Sequence, residues 1–498
     1  MKRHTYELPP ELDQTARKNT GAFYTPDHIV DFMVSEVLRE RRLPLRICDF
    51  SCGGGAFLSG VLRYVRKHAP ECCSECCRNL TGIDINPRAL ELARKNLPDI
   101  PEENFICADT LELDFPGEKK FDIIIGNPPY RCGGVKNNAA FGAEQQKKLK
   151  NRFNNSFEYK MNLFALFVEQ STRMAEEFSL IVPDSLLCGR YFSKLRRYLT
   201  EKFFLKGIYL LEKPSFDAAP GNAVIIHGCA GKVPSTPSLK CACFAPGKLE
   251  TAAESDFHLT DQRRFAAESR CRFQLAFSER QEKLVRKLLA PGPRVRDLFS
   301  FASGIISRKG KHSIIASPSE TDAVPGIIYG REIHPFETAW EGGRLRISAE
   351  NIKSGLNHER YAGEKIFVRQ TGSQLIAAVC REKIYALNNC HVGTALSDFP
   401  ADTLTALLNS TLMNSLYRYL SGEHNRNFAQ IDIDLLNALP LRRTPEFDRF
   451  AAECARDPRA RKELDAHCAR LFELTPEEIR LADSFLSPSV AAVCGIEP

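Results

Sequence analysis

The stretch LRICDFSCGGGAFLSGVLRYV, residues 45–65, decides the fold. Its opening, LRICDF, has the length and apolar character of a buried strand. Ser51-Cys52-Gly53-Gly54-Gly55 then turns the chain, and the remainder has helical spacing. A glycine-rich turn between strand and helix lets a ligand approach the backbone and leaves the first helix N–H groups facing it. Such a turn can also be no more than a tight corner, so its surroundings carry the argument.

Outward from this stretch, short apolar runs alternate with helical ones. HIVDFMVSEVLRE (28–40) has helical periodicity, and Pro26-Asp27 supplies its start. Downstream come TGIDI (81–85), a helix over 87–96, NFICAD (104–109) and FDIIIG (121–126). A helical run around 162–176, SLIVPD (179–184), a helix near 185–200, GIYLLE (207–212) and NAVIIHG (222–228) follow. This alternation predicts an α/β domain over 1–231 with a doubly wound, mainly parallel sheet. The last two strands leave no room for a helix between them, which predicts an antiparallel edge strand. From 232 to 290 the pattern weakens and reads as a connector. A second globular region spans 291–445, and a helical segment spans 446–498.

Composition narrows the classes. At 498 residues, with 43% hydrophobic and 26% charged residues, the chain suits two or three globular domains and excludes disorder as the main theme. No apolar run is long enough to cross a membrane as a helix, and MKRHTYELPPELDQ lacks the apolar core of a secretion signal. The 18 cysteines are scattered through apolar segments, which fits a reducing cytoplasm better than a disulfide scaffold. The net charge of +6 is uneven: residues 1–130 carry 17 Lys and Arg against 20 Asp and Glu, whereas 131–210 carry 14 against 7. A basic surface following a slightly acidic first region suits an anionic partner.

Three acids fall at successive strand ends. Asp49 precedes the glycine turn, Asp84 closes the second strand, where a carboxylate can hold a ribose diol, and Asp109 closes the third, within reach of an adenine amino group. Each alone could be a solvated terminus; three in register suit a nucleoside cofactor carrying positive charge. Directly after FDIIIG stands Asn127-Pro128-Pro129-Tyr130. Here the chain resembles the S-adenosylmethionine-dependent amino methyltransferases, whose signature is [DNS]-P-P-[YFW]. The residue types suit that chemistry. An adenine amine shares its lone pair with the ring and is a poor nucleophile. The Asn127 side-chain oxygen and the Pro128 carbonyl can each accept one amine hydrogen, freeing the lone pair for in-line attack on a sulfonium methyl. Tyr130 can stack on a base extruded from the duplex.

Gly21-Ala22-Phe23-Tyr24-Thr25-Pro26 matches the G-x-x-[YF]-T-P element of the γ-type adenine-N6 DNA methyltransferases of bacterial restriction–modification systems. The resemblance implies a Rossmann-like methyltransferase domain that binds S-adenosyl-L-methionine, with Thr25 helping to hold it. It places Asp49 and Gly53 along the methionine part, Asp84 and Ile85 at the ribose and adenine face, and Asp109 at the adenine amine. It also sets Phe216 as a second aromatic against the flipped base. Phe50 departs from the family's usual proline, which puts the shape of that loop in question. Adenine over cytosine rests on the same resemblance, since cytosine enzymes more often carry Ser where this chain has Asn127.

GIISRKG (304–310), YGREI (329–333), FVRQTGSQLIAA (367–378), LNNCHVGT (387–394), LLNSTLMNSLYRYLSG (407–422) and NFAQIDIDLLNALPL (427–441) resemble the mixed α/β target-recognition domain of Taq-type enzymes. That implies double-stranded DNA as partner, read by side chains with paired donors or acceptors. Lys309, Arg369, Gln370, Asn425, Arg426 and Asn427 have the right chemistry, although most basic residues only hold phosphates. A monomer is the expected working unit, with a separate cognate restriction endonuclease left open. A fused nuclease is not expected, because the Thr25-Pro26 element begins so early and the chain after 445 is short and helical. Rival readings are a methyltransferase acting on RNA or a protein glutamine, and a non-catalytic DNA-specificity subunit. Cys72-Cys73-Ser74-Glu75-Cys76-Cys77 has one C-x-x-C but no second pair, so it reads as a surface loop and no metal is expected.

Overall fold

The computed structural model describes residues 25–485 apart from 115–119, 131, 134–142, 159–160, 213–221, 237, 268–269, 277, 318–319, 349, 423–428 and 484. The chain divides into two compact units, Met1–Ser278 and Glu279–Pro498.

The first unit is built on a nine-stranded sheet. In chain order the strands are β1 (Ile47–Asp49), β2 (Leu80–Asp84), β3 (Phe105–Cys107), β4 (Phe121–Gly126), β5 (Ala175–Pro183), β6 (Phe203–Leu211), β7 (Ala223–Ala230), β8 (Leu239–Phe244) and β9 (His258–Thr260). Their order across the sheet is β9-β8-β6-β7-β5-β4-β1-β2-β3. β1 lies parallel to both β2 and β4, so the winding reverses between β1 and β4. In such sheets the crevice for a ligand opens beyond the carboxyl ends of the strands at that point.

Alternation along the strands builds a core on each face. Phe178, Leu180 and Val182 of β5 pack on one side with Val224 and Ile226 of β7. Ile181, Ile225, Ile123 and Ile125 pack on the other, under helices α1 (Asp27–Leu38) and α2 (Ala56–His68). A strand with both faces covered reads as a continuous apolar run, which explains FDIIIG and NAVIIHG. Each large side chain so buried contributes roughly 1.5–3 kcal/mol.

The sheet departs from expectation in one detail. NAVIIHG is antiparallel, but β7 lies inside the sheet, bonded to β5 on one side and β6 on the other. β6 is thereby pushed outward, and its free side is taken by β8 in parallel and then by β9, antiparallel to β8. β8 and β9 both come from the stretch with the weak pattern, and together they cover an edge that would otherwise expose unpaired backbone groups.

The cysteine-rich segment is not a surface loop. Pro70–Cys72 form a 3-10 turn and Cys73–Asn79 an α-helix, with Cys76 and Cys77 buried in the core that holds Ile47 and Leu80. Seven residues are too few to show helical periodicity in the sequence.

The second unit contains a four-stranded antiparallel sheet of β10 (Phe299–Ser303), β11 (Lys365–Arg369), β12 (Ala377–Cys380) and β13 (Cys390–Ala395), in the order β10-β13-β11-β12. Helices Ala401–Asn409, Thr411–Ser421 and Pro445–Arg456 belong to the same unit, which is mixed α/β. Among the described residues no helix is long and apolar enough to cross a membrane.

Candidate functional site

The site is assembled at the carboxyl ends of β1, β2 and β4. Asp49 closes β1 with its side chain fully buried, and it accepts a hydrogen bond from Ser51 N at 3.0 Å. Gly53 follows at φ +52°, a conformation that β-carbon-bearing residues rarely adopt. That twist points Gly53 N at Asp84 Oδ2, 2.9 Å away, while Asp84 Oδ1 accepts from Asn86 N at 2.8 Å. The Asp84 carboxylate therefore clamps the glycine turn to the loop after β2. Nothing lies within 4 Å of where a Gly53 side chain would begin, so the turn borders open space. Ile85, next to Asp84, is 68% exposed, an apolar face left uncovered beside the clamp. Asp109 Oδ1 accepts from Leu111 N at 2.9 Å, and Ala108 N donates to the Asp84 carbonyl at 3.2 Å, which ties the third strand end to the second.

β4 brings in the other half. At Gly126 a Cβ would fall 2.7 Å from Asp49 Oδ1, so any larger residue there would press on the buried acid. Asn127 comes next. Its carbonyl accepts from Ser51 Oγ at 3.2 Å, and its side-chain Nδ2 donates to Thr25 Oγ1 at 3.1 Å. Thr25 is buried at the head of α1. Tyr130 is half-buried, with its hydroxyl donating to the Ile181 carbonyl at 3.1 Å, and Pro128 is buried.

Electrostatics follow from burial. The Asp49 carboxyl is pushed up to about 8, chiefly by desolvation, with the Asp84 charge adding to the rise and the Ser51 N–H opposing it. Burial also raises Asp84 and Asp109, although backbone donors pull both back. No cationic side chain is among the groups acting on Asp49 or Asp84 within the described residues. Carboxyls held up by burial, with no cationic side chain beside them, ionise most readily next to a positively charged ligand.

The structure thus brings Thr25, Asp49, Gly53, Asp84, Ile85, Asn127, Pro128, Pro129 and Tyr130 to one end of the sheet, with Asp109 on the neighbouring strand end. Phe216 lies outside the described residues. The sequence pattern does not single out Ser51 or Gly126 as site residues. The one signal for Gly126 was its place as the last residue of an apolar strand, directly before Asn127. Phe50 is buried and stacks on Phe167, ring centroids 5.3 Å apart, while its carbonyl accepts from Thr110 Oγ1 at 2.7 Å. Core packing and a side-chain clasp hold the turn there.

In the second unit Lys309 lies in an exposed basic run, 308–312. Arg369 is differently placed: its Nε donates to the carbonyls of Gly330 (2.7 Å) and Ile333 (3.0 Å), and its Nη2 to Ile333 (2.7 Å), which pins the end of β11 to that turn. Gln370 bridges backbones, its N–H donating to the Asn389 carbonyl and its carbonyl accepting from Ile431 N at 2.7 Å. Asn425, Arg426 and Asn427 lie outside the described residues. Beside the basic run, an exposed Tyr329 ring has Lys311 Nζ 5.2 Å and Arg331 Cζ 4.4 Å from its centroid. The residues of this cluster are some twenty positions apart, so it is visible only after folding.

Residues 95–216, which carry β3, β4 and the Asn127 loop, match the model of the Eco57I restriction-modification methylase family. The chain thus resembles the restriction–modification methylases. Consistently, residues 326–441 of this chain match the TaqI-like C-terminal specificity domain, and residues 25–150 the methyltransferase small domain. It is 26% identical over 384 residues to a type II methyltransferase of Thermus thermophilus, covering 76% of this chain and 81% of that one. It is 34% identical over 124 residues to the type II methyltransferase M.CvrRI of Paramecium bursaria Chlorella virus XZ-6E, covering 25% of this chain and 28% of that one. Among solved structures it resembles a nuclease-deletion mutant of the type ISP restriction-modification enzyme LlaGI, in complex with a DNA substrate mimic. That match has a TM-score of 0.56 and 12% identity, and it covers 87% of this chain and 54% of that chain. The chain therefore spans about half of that larger enzyme, and at this identity the likeness is one of fold.

Proposed function

We propose that this protein transfers a methyl group from S-adenosylmethionine to the N6 amine of an adenine flipped out of double-stranded DNA, at a specific sequence. It would act as a monomer, as the modification enzyme of a restriction–modification system with a separate endonuclease. The observation that carries this reading is Asn127, held at the end of β4 by Thr25 and Ser51, directly beside the glycine turn.

The residues present fit the cofactor: an open glycine turn at a helix start, a clamped carboxylate, an uncovered apolar face and, among the described residues, no cationic side chain acting on Asp49 or Asp84. Asp84 would hold the ribose, Ile85 the adenine ring, Asp109 the adenine amine, and Asp49 and Gly53 the methionine part. When bound, the cofactor supplies an electrophilic methyl on a cationic sulfur. The Asn127 side-chain oxygen and Pro128 carbonyl accept the two hydrogens of the target amine and draw its nitrogen toward tetrahedral geometry. Tyr130, tethered through its hydroxyl, offers a ring face to the extruded base, and Phe216 would offer a second.

Incubation with isotope-labelled S-adenosylmethionine and mixed genomic DNA, followed by nucleoside mass spectrometry, tests the reading. Labelled N6-methyladenine is expected. Label in N4-methylcytosine, or only in RNA or protein, overturns it.

Asp49 gives a pH signature. Its native carboxyl holds a proton that the unfolded chain, with an ordinary value near 3.8, has already released. Its contribution to stability is therefore full below about pH 4 and is lost as pH rises toward 8. Asp49→Asn should unfold with a flatter profile across that window in denaturant titrations at stepped pH. A cationic ligand draws the proton off, so its affinity should climb with pH and level above about 8. Parallel profiles for variant and wild type would mean that Asp49 is ionised throughout.

The basic run in the second unit would neutralise DNA phosphates. Lys309→Gln with Lys311→Gln should lower the slope of log affinity against log salt by about two, roughly 0.9 per lost phosphate contact. Fluorescence anisotropy at several salt concentrations measures it. An unchanged slope removes the run from the DNA interface.

A further inference from the structure

The resemblance puts Thr25 on the cofactor, but the geometry gives its hydroxyl to Asn127. We infer that Thr25 is a positioning residue for Asn127, holding the amide by its nitrogen so that the oxygen is left for the target amine. A carboxamide has a donor on one side and an acceptor on the other, and only the acceptor can take an amine hydrogen. The backbone of Asn127 is already fixed, because its carbonyl accepts from Ser51 Oγ at 3.2 Å. Rotation of the side chain is restrained in turn by Nδ2, which donates to Thr25 Oγ1 at 3.1 Å. Thr25 is 8% exposed, so its end of this bond is largely out of water. The contact joins residues 102 positions apart, the head of α1 and the end of β4. Pro26 accepts from Ile29 N at 3.0 Å and Val30 N at 3.1 Å, which anchors the strut in the first helical turn.

The inference rests on the proposed amine chemistry, and its test has one arm that does not. In protein labelled with 15N-asparagine, without cofactor or DNA, the Asn127 side-chain amide pair is identified by its absence from Asn127→Ala. That pair should shift in Thr25→Val, which keeps the shape and removes the hydroxyl, and return toward its position in Thr25→Ser. An unmoved resonance overturns the inference. In single-turnover assays at saturating cofactor, Thr25→Val should slow methyl transfer about tenfold, the size of one ordinary neutral hydrogen bond. Its Kd for S-adenosylhomocysteine should stay within twofold, and Thr25→Ser should recover most of the rate. A Kd that weakens as much as the rate falls would return the hydroxyl to the cofactor and overturn the positioning role. A wild-type protein that leaves DNA unmethylated refutes the proposed function, while the resonance arm still decides the role of Thr25.

Discussion

Asn127→Ala should remove methyl transfer, by roughly 10²–10³-fold, the usual effect of deleting one preorganised hydrogen-bond partner of a transition state. The change takes away the proposed side-chain acceptor for the target amine and the Nδ2 link to Thr25, but keeps the backbone carbonyl that accepts from Ser51 Oγ. The loop should therefore stay seated on β1. Cofactor affinity by calorimetry and DNA affinity by anisotropy are expected within severalfold of wild type, so that the loss falls on the chemical step. Turnover like that of wild type would refute the amine-activation mechanism. A large loss of cofactor affinity would instead mean that Asn127 braces the pocket.

Asp84→Ala should weaken S-adenosylhomocysteine binding by about a hundredfold or more. The Asp84 carboxylate accepts from Gly53 N and Asn86 N, and each hydrogen bond to a charged group contributes roughly 1.5–3 kcal/mol. Part of that energy holds the glycine turn in place before any ligand arrives, and the alanine variant loses it together with the proposed ribose contact. Asp84→Asn keeps the outline and one acceptor, so its loss should be smaller. Calorimetry on the two variants checks the order. Equal affinity for wild type and Asp84→Ala would place the nucleoside elsewhere.

Much of the site was legible because its parts are local. Asp49, Asp84 and Asn127 each end an apolar run, and a strand-to-loop switch announces itself in the residue pattern. What joins them was not. The Ser51–Asn127 and Thr25–Asn127 bonds cross 76 and 102 residues, and no spacing rule reaches that far. The order of strands failed for a related reason: NAVIIHG shows an antiparallel partner to be near, but not that β5 and β6 would stand on either side of it. β9, three residues long, carries too little pattern to register. Arg369 illustrates a third limit. In RQTGS it has the look of a free guanidinium, yet the carbonyls of Gly330 and Ile333 engage it.

The pair of strands that seats Asn127 works as a gauge. β1 and β4 are hydrogen-bonded neighbours, fixed by that pairing at about 4.8 Å, and Gly126 lets them close with Asp49 between their tips. Whatever hangs from those tips inherits the spacing. The offset between the two halves of the candidate site, the turn at Gly53 and the loop at Asn127, is therefore set by the register of the two strands. A single residue inserted into either strand would shift that offset by a full step and leave each half intact but out of register.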